Sequence, residues 1–117
     1  MNLKTPLTVL PKELKKWLDE DLSNPILIDV REEEELAIAS FNRNVLHFPL
    51  SNYSNWINCY SNNLSFDEPL VVICHSGIRS WNFALWLLEQ DSRYQVWNLK
   101  GGIDAWSQEV DKSVPRY

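Results

Sequence analysis

The chain has 117 residues, 44% hydrophobic and 23% charged, and its 11 basic against 16 acidic side chains give a net charge of −5 at pH 7. This excludes a disordered segment, and the length suffices for one soluble globular domain over residues 1–117 that needs no disulfide staples. An acidic balance without a dense Lys/Arg stretch excludes a binder of nucleic-acid backbone and a polybasic membrane anchor. Two cysteines, Cys59 and Cys74, are too few for a disulfide framework, and no C-x-x-C spacing offers a zinc site, so a reducing compartment is expected. The start lacks a continuous apolar leader, and the longest apolar runs, Leu70–Cys74 and Phe83–Leu88, are too short to span a bilayer. A cytoplasmic, monomeric protein with no membrane contact is the expectation.

In chain order, Pro11 followed by Leu14, Trp17 and Leu18 predicts a short amphipathic helix with proline in its first turn. Pro25–Val30, after the turn signal Ser23-Asn24, predicts a strand buried on both faces. Val45–Pro49 predicts a second short strand ended by proline, after which Ser51 can cap a helix carrying Tyr53, Trp56 and Ile57. Leu70–Cys74 is the most apolar strand candidate and runs through His75-Ser76-Gly77 into a helix ending near Glu89. On that helix Trp81, Ala84, Leu85 and Leu88 are expected to form the apolar face, with Trp86 on the polar side, covered by the tail Val114-Pro115 or another loop rather than exposed as a contact for a partner. Tyr94–Leu99 predicts a further strand, and Gly101-Gly102 turns the chain into a last short helix with Ile103 and Trp106. Short buried strands alternating with helices define an α/β fold with a parallel sheet covered on both faces.

In such sheets sites form outside the carboxyl ends of the strands. Cys74 ends the most buried strand and precedes a helix, so the backbone N–H groups from Ser76 to Ser80 can converge on its sulfur and favour an anion there. Gly77 permits the backbone to curl around the sulfur, and Arg79 offers a cationic fork for an anionic substrate. The run Cys74-His75-Ser76-Gly77-Ile78-Arg79-Ser80 therefore reads as a nucleophile in an anion cradle rather than as a strand ending in a small buried residue.

Together with Leu27-Ile28-Asp29-Val30-Arg31-Glu32 and Leu99-Lys100-Gly101-Gly102-Ile103-Asp104-Ala105-Trp106, this loop resembles the single-domain members of the rhodanese-like sulfurtransferase family over nearly the whole chain. The ending Asp111–Tyr117 is similar to that of some bacterial members. The resemblance implies five parallel strands flanked by helices on both sides, a Cys74 persulfide, and transfer of sulfane sulfur from a small anionic donor such as thiosulfate to cyanide, a thiol or a protein acceptor. Three readings of the function follow: a sulfurtransferase, a sulfur-carrier or interaction module delivering persulfide sulfur to one protein partner, and a small phosphatase or arsenate reductase. Related phosphatases and arsenate reductases separate cysteine from arginine by five residues, whereas here only His75, Ser76, Gly77 and Ile78 intervene, which suits a sulfur atom better than a phosphoryl group. The chain departs from the family by carrying His75 where many thiosulfate-using members have arginine, and by lacking a His-x-x-Gly-Ala turn in Ala39–Asn44.

Asp29 and Arg31 are expected to support the pocket wall, chiefly by pairing or by satisfying loop N–H groups. Glu32-Glu33-Glu34-Glu35 spreads around a helix start and reads as a solvated first turn rather than a metal cluster. His75 reads equally as a group polarising the donor or as a solvent-facing loop residue. His47 is expected to be a satisfied core or edge histidine, Lys100 a solvated lysine, and Cys59 a packing residue rather than a resolving partner for Cys74. No metal and no organic cofactor is implied.

Overall fold

The computed structural model describes residues 4–20 and 24–117, so Ser23 of the expected Ser23-Asn24 turn lies outside the described residues. Five strands form one parallel sheet: β1 (Leu7–Val9), β2 (Ile26–Asp29), β3 (Leu46–His47), β4 (Leu70–Ile73) and β5 (Val96–Leu99), in the order β1-β5-β4-β2-β3. Among the described residues four helices accompany them, α1 (Pro11–Asp19), α2 (Glu33–Ile38), α3 (Ile78–Gln90) and α4 (Gly102–Glu109), with two short 3-10 segments at Leu50–Asn55 and Tyr60–Asn63.

The middle of the sheet forms because β4 is apolar at every position and all four of its residues are buried. Side chains alternate across a strand, so Leu70 and Val72 enter one core and Val71 and Ile73 the other. Phe83, Ala84, Leu87 and Leu88 of α3 cover the first core, and Leu14 and Leu18 of α1 with Ile103 and Trp106 of α4 cover the second. The α/β class, the parallel sheet and helices on both faces agree with the sequence reading.

Several local expectations are corrected. Leu7–Val9 is a strand that the sequence pattern does not announce; only Val9 of its three residues is buried. The buried face of α3 includes Ala84 and Leu88 as expected but is turned toward Phe83 and Leu87, which are also buried, whereas Trp81 and Leu85 are only half-buried. Trp86 is covered by another segment, as one branch of the expectation has it, packing against Trp56 and Tyr60 as well as Phe83, and not by the tail, whose Val114 lies in the opposite core. The helix expected after Ser51 is instead the pair of 3-10 segments, the first following Pro49, with Trp56 Nε1 donating to the Pro49 carbonyl.

The strand order places the site. After β2 the chain moves outward to β3, whereas after β4 it moves to β5 on the other side. The carboxyl ends of β2 and β4 therefore flank a topological switch point, the crevice where open parallel sheets bind ligands. Arg31 follows one of these strands and Cys74 the other.

Candidate active site

Cys74 lies at the floor of the loop between β4 and α3, with none of its surface exposed. The Gly77 N–H donates to Cys74 Sγ at 3.0 Å. Gly77 has φ 99°, in the left-handed region that glycine enters freely, and a Cβ there would press on the backbone of Gly101 and Leu99. The loop carbonyls face the other way: the Ile103 N–H donates to the Cys74 carbonyl at 2.8 Å and the Asp104 N–H to the His75 carbonyl at 3.0 Å. These donors are otherwise unsatisfied N–H groups of the first turn of α4. Gly102, at φ 61°, makes this approach possible, because a Cβ would collide with the carbonyls of Cys74 and His75.

A second tether comes from β5. Asn98, buried in the sheet, donates through Nδ2 to the Gly77 carbonyl at 3.1 Å and accepts the Ser80 hydroxyl at Oδ1. Ser80 Oγ is also 3.3 Å from Cys74 Sγ. A hydroxyl has one proton, so it can serve Asn98 while its lone pairs face a neutral thiol, or turn to donate to a sulfur anion. Asn98 is not among the candidates that the sequence singles out, although an amide inside the run Val96-Trp97-Asn98-Leu99 is itself a signal, since a buried polar group needs partners.

Asp29 and Arg31 are both fully buried and form a forked pair, with Arg31 Nε 3.0 Å from Asp29 Oδ1 and Nη2 2.9 Å from Oδ2. Burial opposes the Arg31 charge, but the hydrogen bonds to Asp29 and Tyr117 outweigh it and hold its pKa above the ordinary arginine value. The Arg31 carbonyl accepts from His47 Nε2 at 2.6 Å, which fixes the imidazole proton on that nitrogen and ties edge strand β3 to the site.

Arg79 does not project freely over the cradle. Its guanidinium makes a two-point pair with Glu35, Nη1 to Oε2 and Nη2 to Oε1, both 2.8 Å. The Glu35 carboxylate also accepts from the Glu32 N–H at 2.8 Å and from the Tyr117 hydroxyl at 3.0 Å. The Arg79 hydrogen bonds, against the opposing effect of burial, push Glu35 from 4.5 down to about 2. Glu35 thus leaves the solvated first turn expected of the acidic run, while Glu33 and Glu34 are exposed on the helix surface.

Tyr117 closes this end. Its ring stacks on His75 with centroids 4.1 Å apart and planes 11° apart, and its hydroxyl accepts from Arg31 Nη1 at 3.0 Å. His75 is therefore a stacked, half-buried group rather than a solvent-facing one. Ser76 and Ile78 are exposed at the rim, and Lys100 is exposed on the turn before α4. Cys59 is exposed and, like Cys74, free. Among the described residues no group of His, Cys, Asp and Glu is placed to hold a metal ion, and no helix is long and apolar enough to cross a membrane.

The family model of the Rhodanese-like domain matches residues 10–109. The chain belongs to the rhodanese-like domain family. It is 36% identical over 110 residues to the Bacillus subtilis protein YtwF, covering 94% of this chain and 96% of that one. It is 31% identical over 80 residues to the thiosulfate sulfurtransferase GlpE of Actinobacillus pleuropneumoniae, covering 68% of each. An Arabidopsis thaliana relative, Rhodanese-like/PpiC domain-containing protein 12, chloroplastic, is 40% identical over 91 residues, but the chain spans only 30% of its length. The fold agrees with that of a rhodanese-like domain protein from Staphylococcus aureus, with TM-score 0.72, 24% identity and coverage of 95% and 98% of the two chains. Members of this rhodanese-like family thus include named sulfurtransferases, which match this chain at modest identity.

Proposed function

We propose that the protein is a sulfurtransferase that carries sulfane sulfur as a persulfide on Cys74. The observation that carries this reading is the cradle itself: a cysteine sulfur facing the Gly77 N–H and the Ser80 hydroxyl, with the neighbouring carbonyls drawn away to α4. Donors fixed in advance favour the sulfur anion before and after loading, and a covalent intermediate divides one transfer into two easier steps.

In the first step the Cys74 thiolate attacks the sulfane sulfur of a donor, such as the outer sulfur of thiosulfate. A new S–S bond forms, the donor S–S bond breaks, and sulfite leaves with the electron pair. In the second an acceptor takes the outer sulfur and the thiolate returns; with cyanide the product is thiocyanate. A thiol or a protein is the expected acceptor class, and the protein works as a cytoplasmic monomer. Delivery to one protein partner uses the same persulfide. Phosphoryl transfer has less support, because the loop arginine that would clamp a phosphoryl group is engaged by Glu35.

The test is thiocyanate formation from a sulfane donor and cyanide, with Cys74→Ser and Cys59→Ser alongside. Turnover lost in Cys74→Ser and kept in Cys59→Ser is expected; turnover surviving in Cys74→Ser overturns the assignment.

A further inference from the structure

A cradle for a dianionic donor gains from an uncommitted cation at its mouth, since opposite charge raises the local concentration of the ligand and stabilises it on arrival. The guanidinium groups tied into this end of the sheet are each committed to a carboxylate: Arg31 to Asp29, Arg79 to Glu35 and Arg116 to Asp104. The Arg79 pair is the one that bears on the loop, because Arg79 lies within the run Cys74–Ser80 and in the first turn of α3. Both Glu35 oxygens are occupied by it, and the Glu32 N–H and Tyr117 hydroxyl hold the carboxylate in place from two further directions. Tyr117 is itself held by Arg31 and by the stack on His75. The whole molecule adds a repulsive background of net charge −5.

We propose that Glu35 and Tyr117 are positioning residues that set donor specificity: Glu35 engages Arg79, Tyr117 holds Glu35 in place, and together they withdraw the arginine charge from the cradle and select low-charge hydropersulfides, R–S–SH, over dianionic thiosulfate. The inference rests on the persulfide role of Cys74 given above. The chemistry balances without an added redox partner. The Cys74 thiolate attacks the outer sulfur of R–S–SH, the S–S bond of the donor breaks, and RS⁻ leaves with the electron pair and takes the proton, leaving the Cys74 persulfide anion and a thiol. The leaving thiol needs no guanidinium, whereas departing sulfite carries two negative charges away from a loop whose arginine is already paired.

The experiment measures rates of sulfur loading on Cys74 by intact mass, from thiosulfate and from the hydropersulfide of N-acetylcysteamine, in the wild type, Glu35→Gln and Tyr117→Phe. The Glu35→Gln change keeps the shape of the carboxylate without its charge, so the ratio of thiosulfate to hydropersulfide rates is expected to rise about tenfold, the scale of charge-assisted association. Thiosulfate loading of Glu35→Gln should also become strongly salt-dependent over roughly 0.01 to 1 M, as for a newly uncommitted cation, while the wild type stays nearly flat. Tyr117→Phe keeps the stack but loses the hydroxyl, and should move the ratio the same way by about threefold, a share of one charge-assisted hydrogen bond. It provides the decisive comparison if Glu35→Gln does not fold. A ratio unchanged in the folded variants, with wild-type loading intact, overturns the specificity role alone. No loading of the wild type from either donor overturns the persulfide function and this inference with it.

Discussion

Cys74 and Cys59 differ in access as much as in surroundings, one buried under the loop and the other exposed just before a 3-10 segment. A bulky aromatic disulfide reagent should label Cys59 at least about tenfold faster than Cys74, because reaction needs a reachable thiolate. Comparing Cys59→Ser with the wild type checks this, and a fast phase surviving in Cys59→Ser would contradict it. At Asn98 one amide satisfies two loop groups. Asn98→Leu leaves the Gly77 carbonyl without its partner and the Ser80 hydroxyl with only Cys74 Sγ, which should cost about 1 to 3 kcal/mol in urea unfolding, the scale of one unsatisfied buried group. Wild-type stability in that variant would contradict the tether. Most of the cradle, from Cys74 to Ser80, is legible in the sequence because its residues are contiguous. Asn98, Glu35 and Tyr117 are not, because their roles come from contacts 18 to 86 positions away in the chain.

Elements that bury both faces of the sheet are the easiest to read, as with Leu70–Ile73, whose run is apolar throughout. Leu7–Val9 is hard to read because an edge strand with one buried residue carries no alternation to detect, and its identity depends on pairing with β5. The inward face of α3 differs from the expected one because the helix is rich in apolar residues nearly all round, so its contacts rather than its pattern decide which side is buried. The start of α4 reads as a turn in the sequence, yet its N–H groups hold the cradle open by taking the loop carbonyls. Gly102→Ala should push α4 off these carbonyls and lower sulfur transfer by at least about tenfold, a scale reached when a preorganised donor array is disturbed. A variant with native circular dichroism and full turnover would contradict the role given to that helix.

Across the whole molecule the Arg79–Glu35 pair behind the loop joins the two sides of the switch point, and it makes stability depend on acid. Glu35 has a folded pKa of about 2 against an ordinary 4.5, so the stabilisation from its pairing is present above 4.5 and is lost as pH falls toward 2. The urea midpoint should be insensitive to this group near neutrality and decline across that window, and Glu35→Gln should show a shallower decline. An identical acid limb in both proteins would contradict the pairing. Arg31 carries a different cost: Arg31→Met leaves Asp29 as an unpaired buried carboxylate, and the expected loss is about 3 to 5 kcal/mol. Net charge and composition can be read from the chain alone, but pairing of this kind is a property of the folded chain.

Whether Cys74 carries sulfur is decided by the intact mass of the purified protein before and after a sulfane donor, and again after cyanide, with Cys74→Ser treated in parallel. Gain of one sulfur atom by the wild type, its removal by cyanide, and no gain by Cys74→Ser are expected. An equal gain in Cys74→Ser, or none in the wild type with either thiosulfate or a hydropersulfide, would contradict the persulfide role.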